Sequence, residues 1–126
     1  MNAPYRGDPG ARIRLLIADD RMRVRRALRA LLSAQPGVEV VGEASDGQEV
    51  IDAIPQLAPD LVIIDVRMPC LDGIAATLEI KRRWPKLRVV IHTLAAERRD
   101  DALAAGANAF VLKAGQPTEL LEALGL

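Results

Sequence analysis

Carboxylates, a hydroxyl and an amine stand at the ends of the chain's apolar runs. Asp19 and Asp20 follow the first run, and Asp65 closes the third. Thr93 and Lys113 end the fourth and fifth runs. A carboxylate can act as a nucleophile towards phosphorus, while a hydroxyl and an ammonium can hold phosphoryl oxygens. These residues predict a site that forms an aspartyl phosphate, provided that the fold brings them together.

The carboxylates would repel one another if they met at one edge of a sheet. Neighbouring strands lie about 4.8 Å apart. Two like charges about 5 Å apart repel by roughly 3 kcal/mol at an effective dielectric constant of about 20. A divalent cation together with Lys113 relieves that repulsion, and donors that are all oxygen favour Mg²⁺. Asp20 is equally suited to cap the helix that follows it.

The elements that position these residues are strands alternating with helices. The predicted strands span 13–18, 38–44, 61–65, 88–93 and 109–113. Four of them are almost continuously apolar, as in sheets covered on both faces, whereas the second alternates like an edge strand. Five such units predict an α/β fold with a doubly wound parallel sheet. Ligands bind such sheets at the carboxyl ends of the strands, where the polar residues stand.

Capping residues predict the helix boundaries. The predicted helices run from Asp20 to before Pro36, from Asp46 to about Ile54, from Asp72 to near Trp84, from about Glu97 to Gly106, and from Pro117 towards Gly125. The second is expected to stop before Pro55, because proline disrupts a helix interior. In the third, Ile74, Leu78 and Ile80 form the expected apolar stripe.

Composition excludes several classes of protein. The 126 residues include 17 basic and 17 acidic side chains, so the net charge gives no reason to expect a nucleic-acid partner. One cysteine and one histidine cannot form a disulfide framework or a thiolate zinc site. A secretory signal and a membrane span are both missing from the sequence. We expect a cytoplasmic domain over residues 11–126, preceded by a flexible leader at 1–10.

Several segments resemble the receiver domain of two-component response regulators. They are Ile17–Asp20, Asp65–Gly73, Val89–Thr93 and Gly106–Lys113, within a resemblance that covers about residues 11–124. The resemblance implies a flavodoxin-like (βα)5 fold with strand order 2-1-3-4-5. It also implies that a sensor histidine kinase is the partner that phosphorylates the domain.

The resemblance assigns a role to each matching residue. Asp65 would accept the phosphoryl group, and Thr93 and Lys113 would each bind one of its oxygens. Mg²⁺ would be held by Asp19, Asp20, Asp65 and the backbone carbonyl of Arg67. Phe110 matches the aromatic residue that changes rotamer as Thr93 moves towards the phosphate, although a plain core position also explains it.

The residues after Lys113 narrow the resemblance. The family usually has proline there, whereas Ala114 and Gly115 follow here, as in the NarL/LuxR-type branch. That branch implies transcriptional output through a DNA-binding helix-turn-helix domain that is absent from this chain, and homodimerisation. The implied chemistry is limited to self-phosphotransfer and autodephosphorylation, without a membrane partner.

Two alternatives remain open at this point. A stand-alone receiver or interaction module would use the same fold without a DNA-binding domain. An aspartate-nucleophile phosphohydrolase usually has a second acid, the general acid, two residues after its nucleophile. That position holds Arg67.

Overall fold

The computed structural model describes residues 12–126. The strands are β1 (Ile13–Ala18), β2 (Val38–Ala44), β3 (Leu61–Ile64), β4 (Arg88–Thr93) and β5 (Ala109–Leu112), and the helices are α1 (Met22–Ser33), α2 (Gly47–Leu57), α3 (Gly73–Arg83), α4 (Arg99–Ala104) and α5 (Pro117–Ala123). All strand pairs are parallel, in the order β2-β1-β3-β4-β5. The predicted flavodoxin-like fold is confirmed. The leader predicted at residues 1–10 lies outside the described residues.

The sheet separates two apolar cores. Adjacent strand residues point to opposite faces, so Leu15 and Leu16 of β1 are both fully buried but in different cores. One core packs against α2, α3 and α4, and the other packs against α1 and α5. Burial on both faces explains why β1, β3 and β4 are almost continuously apolar.

The strands end where the sequence predicts, to within one residue. β1, β2 and β4 have the predicted bounds, and β2 is an edge strand as expected. β3 and β5 each stop one residue early, at Ile64 and Leu112. Asp65 and Lys113 are therefore the first residues of the loops that leave the sheet.

The predicted cap of α1 is wrong. The N-cap residue is Arg21, and no side chain caps the helix. The side chain of Asp20 is exposed, while the buried Asp19 accepts a hydrogen bond from the Arg21 backbone amide (2.9 Å). Asp19 holds the loop before the helix, which leaves the Asp20 carboxylate available for another role.

The predicted end of α2 is also wrong, because the helix continues through Pro55 to Leu57. Pro55 lies in the last turn, and Ala58 ends the helix in a left-handed conformation (φ 47°). The guanidinium of Arg14 donates hydrogen bonds to the carbonyls of Leu57 (2.6 Å) and Ala58 (3.2 Å). These bonds satisfy carbonyls that the end of a helix leaves without partners inside the helix.

The apolar stripe predicted for α3 is only partly correct. Ile80 is buried, but Leu78 is 59% exposed, and the small residues Ala76 and Thr77 are fully buried instead. Small residues face the core because α3 starts close to the sheet. A Cβ atom at Gly73 would lie only 1.8 Å from the carbonyl oxygen of Asp65.

The last two helices begin and end largely as predicted. The segment before α4 is a 3₁₀ turn at Ala96–Arg98, and the glycine after the helix, Gly106, has the expected positive φ of 105°. Pro117 is the first residue of α5. The 3₁₀ turn begins three residues after Thr93, the last residue of β4.

Candidate functional site

The carboxyl edge of the sheet brings the predicted polar residues together. A cleft of about 80 Å³ opens between the loops that follow β1, β3, β4 and β5. It is lined by Asp20, Arg21, Asp65, Arg67, Thr93, Leu94 and Lys113. We call it the acidic cleft, and Asp19 lies directly beneath it through its contact with Lys113.

Asp65 is a buried carboxylate with a defined orientation. Only 7% of the residue is exposed. Its Oδ1 accepts a hydrogen bond from the Val66 backbone amide (2.7 Å), and its Oδ2 accepts one from Lys113 Nζ (2.9 Å). Burial raises the pKa of Asp65, but the neighbouring Thr93 hydroxyl and Lys113 ammonium outweigh burial and hold the pKa below its ordinary value. Asp65 is therefore an anion at neutral pH.

Lys113 bridges two carboxylates. Its Nζ lies 2.7 Å from Asp19 Oδ2 and 2.9 Å from Asp65 Oδ2. Burial lowers the pKa of Lys113, whereas the bonds to Asp19 and Asp65 raise it, and the net pKa is above the ordinary value. The Lys113 backbone amide also donates to the carbonyl of Thr93 (2.8 Å), which ties the ends of β4 and β5 together.

The three acids at this edge fit a hard divalent cation. Asp19, Asp20 and Asp65 can each direct one carboxylate oxygen so that these atoms lie within 4.8 Å of one another. Asp19 is 1% exposed, and Asp20 is open to solvent. Three negative charges face the single ammonium of Lys113, so a dication would balance the charge of the cluster. Oxygen donors and this charge suit Mg²⁺.

Thr93 presents a hydroxyl to the acidic cleft. The residue is 1% exposed, and its Oγ1 accepts a hydrogen bond from the Ala95 backbone amide (3.2 Å). That bond leaves the hydroxyl proton free to be donated to an oxygen in the cleft. Phe110 pairs with Ile91 across β4 and β5, so it lies on the same face of the sheet as Thr93. Its ring is half-buried against the core that contains α2, α3 and α4.

Two contacts at this edge carry no spacing signal in the sequence. The Arg25 guanidinium donates to the backbone carbonyl of Asp19 (2.7 Å) and also bonds Glu43 (3.0 Å), which steadies the first acidic loop. Arg67, which lines the cleft, places its Nη2 atom 3.1 Å from Oε2 of Glu97. Each contact joins residues brought together only by the fold, so no local pattern reveals it.

His92 lies on the other face of β4, as its place beside Thr93 predicts. It lines a groove of about 470 Å³ between α1 and α5, together with Lys113. Burial and the positive charge of Lys113 lower the pKa of His92 to about 4, so the imidazole is neutral at pH 7. Its Nδ1 has no hydrogen-bond partner within residues 12–126.

Comparisons with known proteins agree on one family. The model of the response regulator receiver domain matches residues 15–125. The transcriptional regulatory protein LiaR of Bacillus subtilis is 39% identical over 114 residues, which are 89% of this chain and 54% of LiaR. A protein-glutamate methylesterase/protein-glutamine glutaminase of Alkalilimnicola ehrlichii is 39% identical over 105 residues, covering 81% of this chain and 27% of that protein.

A solved structure gives the same result. The crystal structure of a LuxR-family two-component response regulator from Aurantimonas sp. SI85-9A1 matches with a TM-score of 0.87 and 32% identity, covering 91% of this chain and 84% of that chain. The chain spans about half the length of LiaR. Within residues 12–126, none of the helices has the length and apolar character needed to cross a membrane.

Proposed function

Because this chain belongs to the response regulator receiver domain family, in its NarL/LuxR-type branch, we propose that Asp65 is its phosphoryl acceptor. The observation that carries this proposal is the state of the Asp65 side chain. It is a buried anion whose pKa is held down, oriented by Val66 and Lys113, and it opens into a cleft that also contains Thr93. The donor is a phosphohistidine of a sensor histidine kinase.

The transfer exchanges one bond to phosphorus for another. An oxygen of the Asp65 carboxylate attacks the phosphorus of the phosphohistidine, and the new O–P bond forms as the P–N bond breaks. The electron pair of the P–N bond returns to the imidazole nitrogen of the kinase. Lys113 and Thr93 stand where they can bond two oxygens of the transferred group, and fixed donors of this kind supply much of the catalysis of phosphoryl transfer.

The acids around Asp65 have a separate role in this proposal. Asp19, Asp20 and Asp65 would hold Mg²⁺ with the backbone carbonyl of Arg67, and all four positions lie at the carboxyl edge. Bound there, the ion would neutralise charge on the phosphoryl oxygens. Lys113 already compensates part of the negative charge of Asp19 and Asp65, which reduces the repulsion between these carboxylates in the folded protein.

Phosphorylation would act as a switch through the same side chains. Moving a two-state equilibrium from 1:99 to 99:1 requires about 5.5 kcal/mol. Charge-assisted hydrogen bonds contribute about 1.5–3 kcal/mol each, so new bonds from Thr93 and Lys113 to the phosphoryl group approach that value. Movement of Thr93 would make room on its face of the sheet, where Phe110 is half-buried and can change rotamer.

The output of the switch lies outside this chain in our proposal. LiaR is a transcriptional regulatory protein, and its similarity favours transcriptional control through a DNA-binding effector domain joined to the receiver. The similarity to a methylesterase shows that closely related receivers also serve other outputs. Response regulator receiver domains are mostly non-enzymatic, and we propose that this one catalyses only its own phosphorylation and dephosphorylation. We place it in the cytoplasm and expect homodimers.

The test uses acetyl phosphate as the donor. The protein is incubated with acetyl phosphate and Mg²⁺, and its intact mass is measured beside Asp65→Asn and the control Asp100→Asn, which alters an exposed acid on α4. We expect one added phosphoryl group in the parent and the control, none in Asp65→Asn, and none when EDTA removes Mg²⁺. Steady release of phosphate without an adduct would instead indicate a phosphohydrolase, and an inert parent would indicate an interaction module.

A further inference from the structure

Arg67 lines the acidic cleft, but its guanidinium pairs with Glu97, which does not line the cleft. Its backbone lies two residues after Asp65, and its side chain lines the cleft with Thr93 and Lys113. The guanidinium is turned outwards, where Nη2 bonds Glu97 Oε2 at 3.1 Å. Glu97 belongs to the 3₁₀ turn that precedes α4, so this pair joins the loop after β3 to the loop after β4.

The Arg67–Glu97 pair is easily broken. The side chains are 72% and 64% exposed, and ion pairs that open to solvent contribute little to stability. A dianionic phosphoryl group in the cleft would offer the guanidinium a stronger, two-pronged partner. The negative charge of Glu97 therefore competes with the phosphoryl group for one arginine.

We propose that Arg67 is a phosphoryl-binding arm that is held by Glu97 in the unphosphorylated protein and closes over the phosphoryl group once it is formed. This inference rests on the proposed function of Asp65. In the phosphorylated protein, Arg67 bonds phosphoryl oxygens and Glu97 is released. Glu97 is a positioning residue, since it acts only through Arg67.

Closure of the arm lengthens the lifetime of the phosphorylated state. Hydrolysis requires a water oxygen to attack phosphorus as the bond to the Asp65 oxygen breaks, which regenerates the carboxylate and releases inorganic phosphate. The attacking and leaving oxygens lie roughly in line. Asp65 lies on the buried floor of the cleft, so the water must arrive from the mouth, which the closed arm covers.

Two substitutions separate the arm from its competitor. In Arg67→Gln the shield is lost, and the half-life of the phosphorylated protein is expected to shorten several-fold. In Glu97→Gln the guanidinium is released, and the half-life is expected to lengthen by up to about two- to fivefold, the factor equivalent to an exposed ion pair. The double variant should behave like Arg67→Gln, because Glu97 has no effect without the arm.

The control is Glu79→Gln, which breaks an exposed ion pair with Arg82 on α3, outside the cleft. Each protein is phosphorylated with acetyl phosphate and Mg²⁺ and freed of donor, and the decay of the adduct is followed by intact mass. The control should decay like the parent. An unchanged half-life in Glu97→Gln, or an equal change with and without Arg67, would overturn the arm while leaving Asp65 phosphorylation intact. A parent that accepts no phosphoryl group would overturn the function as well.

A spectroscopic measurement reports the movement itself. The Nε–Hε resonance of Arg67 should shift on phosphorylation of the parent and should already be displaced in unphosphorylated Glu97→Gln. A resonance that stays in place on phosphorylation would contradict closure, whatever the half-lives show.

Discussion

The two edges of the sheet both carry charged side chains, but these side chains bind different partners. At the amino edge, where the strands begin, Arg14 and Lys81 each bond backbone carbonyls: Arg14 donates to those of Leu57 and Ala58, and Lys81 donates to that of Leu87 (2.8 Å). At the carboxyl edge, Lys113 binds the side chains of Asp19 and Asp65. The contacts at the amino edge satisfy backbone carbonyls, whereas those at the carboxyl edge bring charged side chains together.

Hydrogen bonds at the amino edge stabilise the fold, which allows the carboxyl edge to hold carboxylates that repel one another. Asn108 illustrates the amino edge, because its side-chain carbonyl accepts from the Val89 amide (2.9 Å) and from Lys81 (3.1 Å). Such bonds satisfy backbone groups and stabilise the ends of strands. The carboxyl edge instead has more carboxylates than cations to pair with them. Lys113 bridges the carboxylates of Asp19 and Asp65, so removing it should be the most damaging change to the charge balance of the acidic cleft.

The largest effect on stability is expected for Lys113→Met. Without the ammonium, Asp19 and Asp65 face each other as buried, unpaired carboxylates. Breaking one side of a buried ion pair costs about 3–5 kcal/mol, and partial exposure of Lys113 places this case near the lower value. The free energy of unfolding, measured by urea denaturation in EDTA, should fall accordingly.

Mg²⁺ makes this prediction specific to the carboxyl edge. Added Mg²⁺ should restore more stability to Lys113→Met than it gives to the parent, because the variant has more uncompensated charge. The control is Lys86→Met, an exposed lysine outside the cleft. If both variants lose equal stability and respond equally to Mg²⁺, the charge cluster is not what Lys113 stabilises.

The pKa of His92 reports whether the charge of Lys113 influences the groove between α1 and α5. Its pKa falls from 6.5 to about 4 because of burial and the positive charge of Lys113. The unfolded chain therefore binds a proton near pH 6.5 that the folded protein binds only near pH 4. The unfolded state holds more protons between these values, so the free energy of unfolding decreases as pH falls through the window, by up to about 3 kcal/mol.

The carboxylates change the free energy of unfolding at a lower pH than His92 does, so the effect of the histidine can be measured separately. The pKa values of Glu43 and Asp65 are lowered from 4.5 and 3.8, so their contribution is present above those values and is lost as the pH falls below about 4.5. The slope between pH 6.5 and 4.5 should therefore be flattened in His92→Gln, as measured by urea denaturation across pH. A slope that survives the substitution would assign it to other groups.

Most of the framework and of the acidic cleft follows from local patterns. Asp65 and Lys113 could be identified because each ends an apolar run in a sheet that is buried on both faces. Caps such as Asp72, which accepts from the Ala75 amide (2.8 Å), depend only on nearby residues and were predictable for the same reason.

The cap of α1 fails for a local reason, since Asp19 bonds the Arg21 amide, whereas other differences involve residues that are distant in the sequence. α2 continues through Pro55, and at its end the carbonyls of Leu57 and Ala58 accept hydrogen bonds from Arg14 of β1. Leu78 is exposed because the close approach of Gly73 to the Asp65 backbone turns small residues inwards. The Arg67–Glu97 pair lies across two loops. These contacts join residues that only the folded chain brings together.

The smallest of these effects is expected at the amino edge, for Arg14→Met. Methionine keeps much of the apolar stem but removes the donors to Leu57 and Ala58, so the last turn of α2 loses partners for its carbonyls. We expect the free energy of unfolding to fall by about 1–2 kcal/mol, as for the loss of two hydrogen bonds near the surface. The rate of phosphorylation by acetyl phosphate should stay at the parental value, in contrast with Lys113→Met, which should lower both. A variant of Arg14 that slows phosphorylation would show that the two edges are coupled.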